Sequence, residues 1–252
     1  MHSIETFPRD TPSYLFIGGN PRSGTSALTS LINHHPDAVV GMERYAPLWG
    51  RDELTPAHFT AEEFFAPRDF DAGKRAREFE RERYQARYDK TVLRGDKYPY
   101  VTRHLDYITS TFPGCQVLFI LRNPLSVSES FQARFDNPDD KAFALDGIQA
   151  LTRWNNSLRQ LADGLAAGLN IAVVTYERAF ASREAATRIF ETVGLPPESV
   201  DWLGVDRVVQ RAAELNVAET SRNEATRWKI AMEANFDLYR KMVNEACILR
   251  DM

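Results

Sequence analysis

Residues 14 to 28 read Tyr-Leu-Phe-Ile-Gly-Gly-Asn-Pro-Arg-Ser-Gly-Thr-Ser-Ala-Leu, an apolar run that breaks into a glycine loop and then resumes with helical periodicity. The pattern predicts a buried strand through Leu15, Phe16 and Ile17, a tight loop, and a helix opened by Thr25 and Ser26. Glycines at 18, 19 and 24 permit backbone angles and close approaches that a side chain would block. A helix starting there offers free N–H groups and the positive end of its dipole to a phosphate-like anion.

Strands and helices alternate outward from this stretch. Ala38-Val39-Val40 reads as a second strand that delivers Gly41-Met42-Glu43-Arg44 to its end. Thr91-Val92-Leu93 reads as a third, running into Gly95-Asp96-Lys97-Tyr98-Pro99-Tyr100. Gln116 to Leu121 is the strongest strand, apolar enough to be buried on both faces of a parallel sheet, and it ends in Arg122-Asn123-Pro124. Ile171 to Thr175 is the fifth, followed by Tyr176-Glu177-Arg178. Helices are expected from Thr25 to the Asn33-His34-His35-Pro36 stop, over 101–111, beyond Pro124, over 144–167, from the Tyr176 region to near Gly194, and over 226–248. This alternation predicts a three-layer, P-loop-type α/β fold with a mostly parallel central sheet flanked by helices. Residues 1–252 are expected to form a single domain, with 44–90 as a mainly helical insertion.

Composition sets the outer bounds. With 31 basic and 35 acidic residues the formal charge is -4, which argues against bulk polyanion or nucleic-acid binding and leaves room for a local cationic pocket. Dense charges of both signs at 74–83 read as a solvated helix. Cys115 and Cys247 have no metal-like spacing and read as buried thiols. No stretch looks like a leader peptide or a membrane span, so a cytoplasmic location is expected.

In open α/β sheets, ligands bind beyond the carboxyl ends of the strands. The polar residues expected there are Arg22, Glu43, Lys97, Arg122 and Tyr176, after strands one to five in turn. Arg22, Lys97 and Arg122 can converge on a ligand with several negative charges.

The loop resembles the nucleotide P-loop but departs from it. Gly19 and Gly24 keep the spacing, whereas Thr25 stands where the lysine belongs, and the cation has moved inside the loop to Arg22. Pro21-Arg22-Ser23-Gly24-Thr25-Ser26 is similar to the 5′-phosphosulfate loop of sulfotransferases that use 3′-phosphoadenosine 5′-phosphosulfate (PAPS). A second segment, Arg122 to Ser130, resembles the 3′-phosphate motif of the same family, an arginine at a strand end with a serine eight residues on. Arg134 matches a further basic position of the protein-tyrosine branch, and Tyr176 a tyrosine after the fifth strand.

The resemblance implies PAPS as donor, 3′-phosphoadenosine 5′-phosphate (PAP) as product, no metal, and an acceptor hydroxyl on a glycan, a tyrosine or a small molecule. It implies a cofactor set of Arg22, Ser23, Gly24, Thr25, Ser26, Ala27, Arg122, Ser130, Arg134 and Tyr176. Glu43 lies 21 residues after Arg22, as the catalytic glutamate does in tyrosylprotein sulfotransferases, and is implied as general base with Arg22 and Lys97 stabilising charge. A salt bridge with Arg44 is the alternative use of Glu43, while His34 and His35 are rival bases at a helix end. Ala27 replaces a tryptophan that stacks on adenine in some branches, so the base must find another wall. Residues 44–90 are expected on the acceptor side, with Phe64, Phe65 and Phe70 edging an acceptor cleft, and a homodimer is compatible with the resemblance. A P-loop kinase and a non-catalytic nucleotide-binding module are the competing readings; the first should carry a lysine at position 25.

Overall fold

The computed structural model describes residues 12–68, 81–139, 145–217 and 224–251. Phe70 and the charged run at 74–80 lie outside the described residues, as do 140–142 of the expected polar loop. The elements that position the site are β1 (Ser13–Gly18), α1 (Thr25–Asn33), β2 (Ala38–Met42), β3 (Leu93–Lys97), α2 (Leu105–Thr111), β4 (Gln116–Leu121), α3 (Pro124–Phe135), α4 (Gly147–Ala166), β5 (Ile171–Thr175), α5 (Arg183–Thr192), α6 (Trp202–Val217) and α7 (Glu224–Glu233).

Among the described residues the five strands form one all-parallel sheet in the order β2-β3-β1-β4-β5. Alternate residues of each strand feed two cores. Phe16, Val39, Val117, Phe119 and Val173 pack with α2, α3 and α4 residues such as Ile108, Phe131 and Trp154. Leu15, Ile17, Val40, Leu118, Ile120 and Val174 pack with Leu28, Ile32, Ile189, Val205 and Ala212 from α1, α5 and α6. The result is the expected three-layer, P-loop-like α/β fold, with the order reversing around β1 and a crevice opening there.

Four local expectations shift. The third strand starts at Leu93 and runs through Lys97, later than Thr91-Val92-Leu93 suggests. Gly95 is the reason it fits, because a Cβ there would sit 1.7 Å from the Leu15 carbonyl oxygen of the neighbouring strand. The 101–111 helix begins as a 3₁₀ turn over Val101–His104. The 226–248 helix is broken after Glu233, with Asn235 capping a new segment over Phe236–Lys241. Phe64 and Phe65 do not edge a cleft: both are buried in the first core with Tyr45, Trp49, Phe59 and Tyr88, where large apolar rings recover more free energy than at a wet rim.

Gly95→Ala is therefore expected to cost at least about 3 kcal/mol, since the clash is with main chain in a central strand and no side chain can move to relieve it. A thermal melt checks this, and an unchanged midpoint would contradict the strand pairing. Cys115 and Cys247 are both buried, and burial pushes the Cys115 thiol up to about 11. Among the described residues no helix is long and apolar enough to cross a membrane.

Candidate active site

The loop between β1 and α1 holds three residues at positive φ, Gly19 at 151°, Arg22 at 73° and Gly24 at 93°. Gly24 also has no room for a side chain: a Cβ would lie 2.4 Å from the Tyr176 ring. The loop is pinned by the Ser23 N–H to the Asn20 carbonyl at 2.9 Å, and to the β3 side by the Gly19 N–H to the Pro99 carbonyl at 3.3 Å.

Arg22 and the fourth-strand motif meet. The Arg22 Nε donates to Ser130 Oγ at 2.9 Å, and Arg122 Nη1 donates to the Arg22 carbonyl at 3.1 Å. Arg122 reaches the loop because Asn123 caps α3, accepting from the Leu125 N–H and turning the chain sharply at the end of β4. Its guanidinium lies 4.1 Å from the centre of the Tyr176 ring, whose hydroxyl is donated to the Ala212 carbonyl at 2.8 Å. Tyr176 is thus a buried platform under Arg122, and burial pushes its phenol up.

On the other side of β1, Lys97 Nζ and Glu43 Oε1 form an ion pair at 2.7 Å. The Arg44 Nε donates to the Phe64 carbonyl at 2.8 Å. Register explains the pair, because Met42 and Lys97 are partners at the end of β2 and β3. Glu43 itself sits at φ 58°, held by its N–H to the Lys97 carbonyl and by Asp96, which accepts from the Arg44 and Tyr45 N–H groups and the Trp49 indole. Asp96 is wholly buried, and desolvation lifts its carboxyl to about 6 against those N–H donors. It is not a partner of Arg122.

A cleft of about 860 Å³ runs from Arg22, Arg122 and Ser130 along α1 to α6. Gly24, Thr25, Ser26, Ala27 and Tyr176 line it, whereas Ser23 is buried beneath the loop with no hydrogen-bond partner for its hydroxyl. Arg134 lies one turn beyond Ser130 on α3 and is not among the lining residues. The α6 side was not anticipated: Arg207, Val208, Arg211, Ala212 and Leu215 form that wall. The buried Val205 and Ala212, seven residues apart, are the helical signal that was available in the sequence. His34 also lines the cleft, but its Nδ1 pairs with Asp201 at 3.1 Å, and His35 Nε2 meets the Pro196 carbonyl at 2.9 Å; burial pushes both imidazoles down.

Fold and site together define a P-loop-like α/β protein with a cationic cleft at the carboxyl edge of its sheet and no lysine before the helix hydroxyl. A family model described as "Sulfotransferase family" matches residues 12–199, and the chain belongs to that family. It is 31% identical over 138 residues to nodulation protein NoeE of Sinorhizobium fredii, covering 50% of this chain and 33% of that protein. Protein-tyrosine sulfotransferase 1 of Mus musculus is 26% identical over 165 residues, 62% of this chain and 43% of that one. The chain spans about a third to a half of the length of the curated relatives it matches. A sulfotransferase from Alicyclobacillus acidocaldarius shares the fold at a TM-score of 0.55 and 14% identity, covering 92% of this chain and 94% of that one.

Proposed function

We propose that the chain transfers a sulfuryl group from PAPS to an acceptor hydroxyl. The observation that carries this reading is the single cluster of Arg22, Ser130 and Arg122 at the switch point of the sheet. One doubly phosphorylated ligand spans such a cluster, with Arg122 and Ser130 taking the 3′-phosphate and Arg22 the 5′ end. The Ser23 hydroxyl without a partner and the open, cation-lined cleft fit that ligand. Thr25 and Ser26 add helix N-terminal donors. Arg134, a turn beyond Ser130, strengthens the positive field there.

The base has a wall after all. Ala27 on α1 and Val208, Ala212 and Leu215 of α6 line the cleft, and this apolar lining suits a planar purine. Arg207 and Arg211 stand at its rim, and Leu215, half exposed in the free protein, becomes covered.

The sheet order divides the labour. β1 lies between β3 and β4, so Arg22 has the donor-binding arginine on one side and the Lys97–Glu43 pair on the other. In the reaction the acceptor oxygen bonds to sulfur as the bond from sulfur to the 5′-phosphate oxygen breaks. Glu43 takes the acceptor proton, Lys97 balances charge on the transferring group, and Arg22 holds the departing phosphate. Guanidinium and ammonium groups supply the positive charge in this scheme, so activity is expected to survive a chelator unchanged; loss of turnover in EDTA, restored by a divalent cation, would contradict it. The direct test is sulfate transfer from labelled PAPS with no labelled transfer from ATP. ATP turnover would favour a kinase, and PAPS binding without transfer a non-catalytic module.

A further inference from the structure

The 3₁₀ turn after β3 carries a second cationic feature that the scheme above does not use. Tyr98 stacks on the buried Trp49 ring at 5.2 Å and 4°, and Tyr100 meets Tyr98 edge to face at 6.0 Å. Two arginines flank Tyr100. The Arg103 guanidinium lies 4.5 Å from the ring centre, and Arg153 of α4 donates to the Tyr100 hydroxyl at 3.1 Å. Neither arginine has a carboxylate within ion-pair distance among the described residues, unlike Arg183, Arg211 or Arg227. The cluster adjoins the reaction centre: Tyr98 directly follows Lys97, its N–H is bonded to the Ile17 carbonyl of β1, and its phenol feels the charges of both Arg103 and Glu43.

Two guanidiniums held on one aromatic ring, beside a general base and without a protein counter-ion, form a recognition site for an anion. We propose that Arg103, Arg153 and Tyr100 form the acceptor subsite, and that the acceptor is anionic, carrying a carboxylate or a phosphate ester near the hydroxyl that receives the sulfuryl group. Tyr98 would lie under the body of that acceptor. Tyr100 follows β3, and neither Arg103 nor Arg153 lines the donor cleft, so the acceptor anion has a site of its own. This inference rests on the sulfotransferase reading.

Matched acceptors test it: 4-hydroxyphenylacetate against its amide, methyl glucuronoside against methyl glucoside, and glucose 6-phosphate against glucose. Each is measured for transfer from labelled PAPS and for binding to the PAP-loaded protein. The charged member of at least one pair is expected to have a kcat/KM at least about tenfold higher, the gain residing in KM and shrinking with added salt. The carboxylate and phosphate pairs tell which anion is preferred. In Arg103→Gln/Arg153→Gln the ratio should fall below about twofold, while Arg159→Gln on the exposed face of α4 should keep it. Equal binding and rates within every pair, or no binding by any member, overturn the inference. Charge-selective binding without any transfer overturns the sulfotransferase reading instead, so the two failures are separable.

Discussion

Glu43→Gln is expected to lower turnover by about 10²- to 10⁴-fold, the range for removing a positioned general base, with PAPS affinity little changed. The acceptor hydroxyl is a weak nucleophile at neutral pH, and the amide has the same size but no capacity to take its proton. Position matters as much as basicity. The Glu43 backbone is in the left-handed region, and its turn is anchored by Asp96 and by the Lys97 carbonyl, so the side chain is aimed by the sheet edge rather than by a mobile loop. The amide also weakens the pairing of a buried Lys97 ammonium, so the thermal midpoint should be measured with the kinetics. A fall in kcat that persists in well-folded protein at saturating PAPS identifies the base. Full turnover in Glu43→Gln would mean that the carboxylate only holds Lys97 in place.

Arg122→Ala is expected to give the opposite signature, a loss of donor affinity with turnover at saturating PAPS reduced far less. Two charge-assisted hydrogen bonds to a phosphate contribute about 1.5–3 kcal/mol each, so a loss of at least about 100-fold in PAP affinity is expected. Arg122→Lys should recover only a minor part. The guanidinium lies over the Tyr176 ring and presents a fork of donors, and an ammonium reproduces neither feature as well. Tyr176→Phe tests the platform separately, since it removes the hydroxyl bonded to Ala212 while keeping the ring under Arg122. A Kd for PAP unchanged in Arg122→Ala, measured by calorimetry, would remove Arg122 from the site.

Much of this was legible in residue order, for reasons that can be named. β1, β4 and β5 are continuous apolar runs bounded by glycine or by polar turns, so period and length both identify them. Once the strands are parallel, Arg22, Lys97 and Arg122 must emerge at one edge of the sheet, and their proximity follows. What could not be read depends on pairing across distance. Glu43 meets Lys97 because of the β2–β3 register, which no local pattern encodes. Phe64 and Phe65 stand among charges in the sequence, yet fold inward against Tyr45 and Tyr88. The stripe on α6 is short and interrupted by Arg207 and Arg211, so the wall it gives the cleft emerges only when the helix docks on α1.

In the proposed reaction Arg22 and the Arg122–Ser130 pair grip the two ends of one ligand. Calorimetric titration of wild type and Arg122→Ala with PAP and with adenosine 5′-monophosphate tests it most directly, because the monophosphate lacks only the group assigned to Arg122. The substitution is expected to weaken PAP by at least about 100-fold and the monophosphate by less than about threefold. Equal losses for both ligands, or wild-type protein that binds PAP no more tightly than the monophosphate, would contradict it.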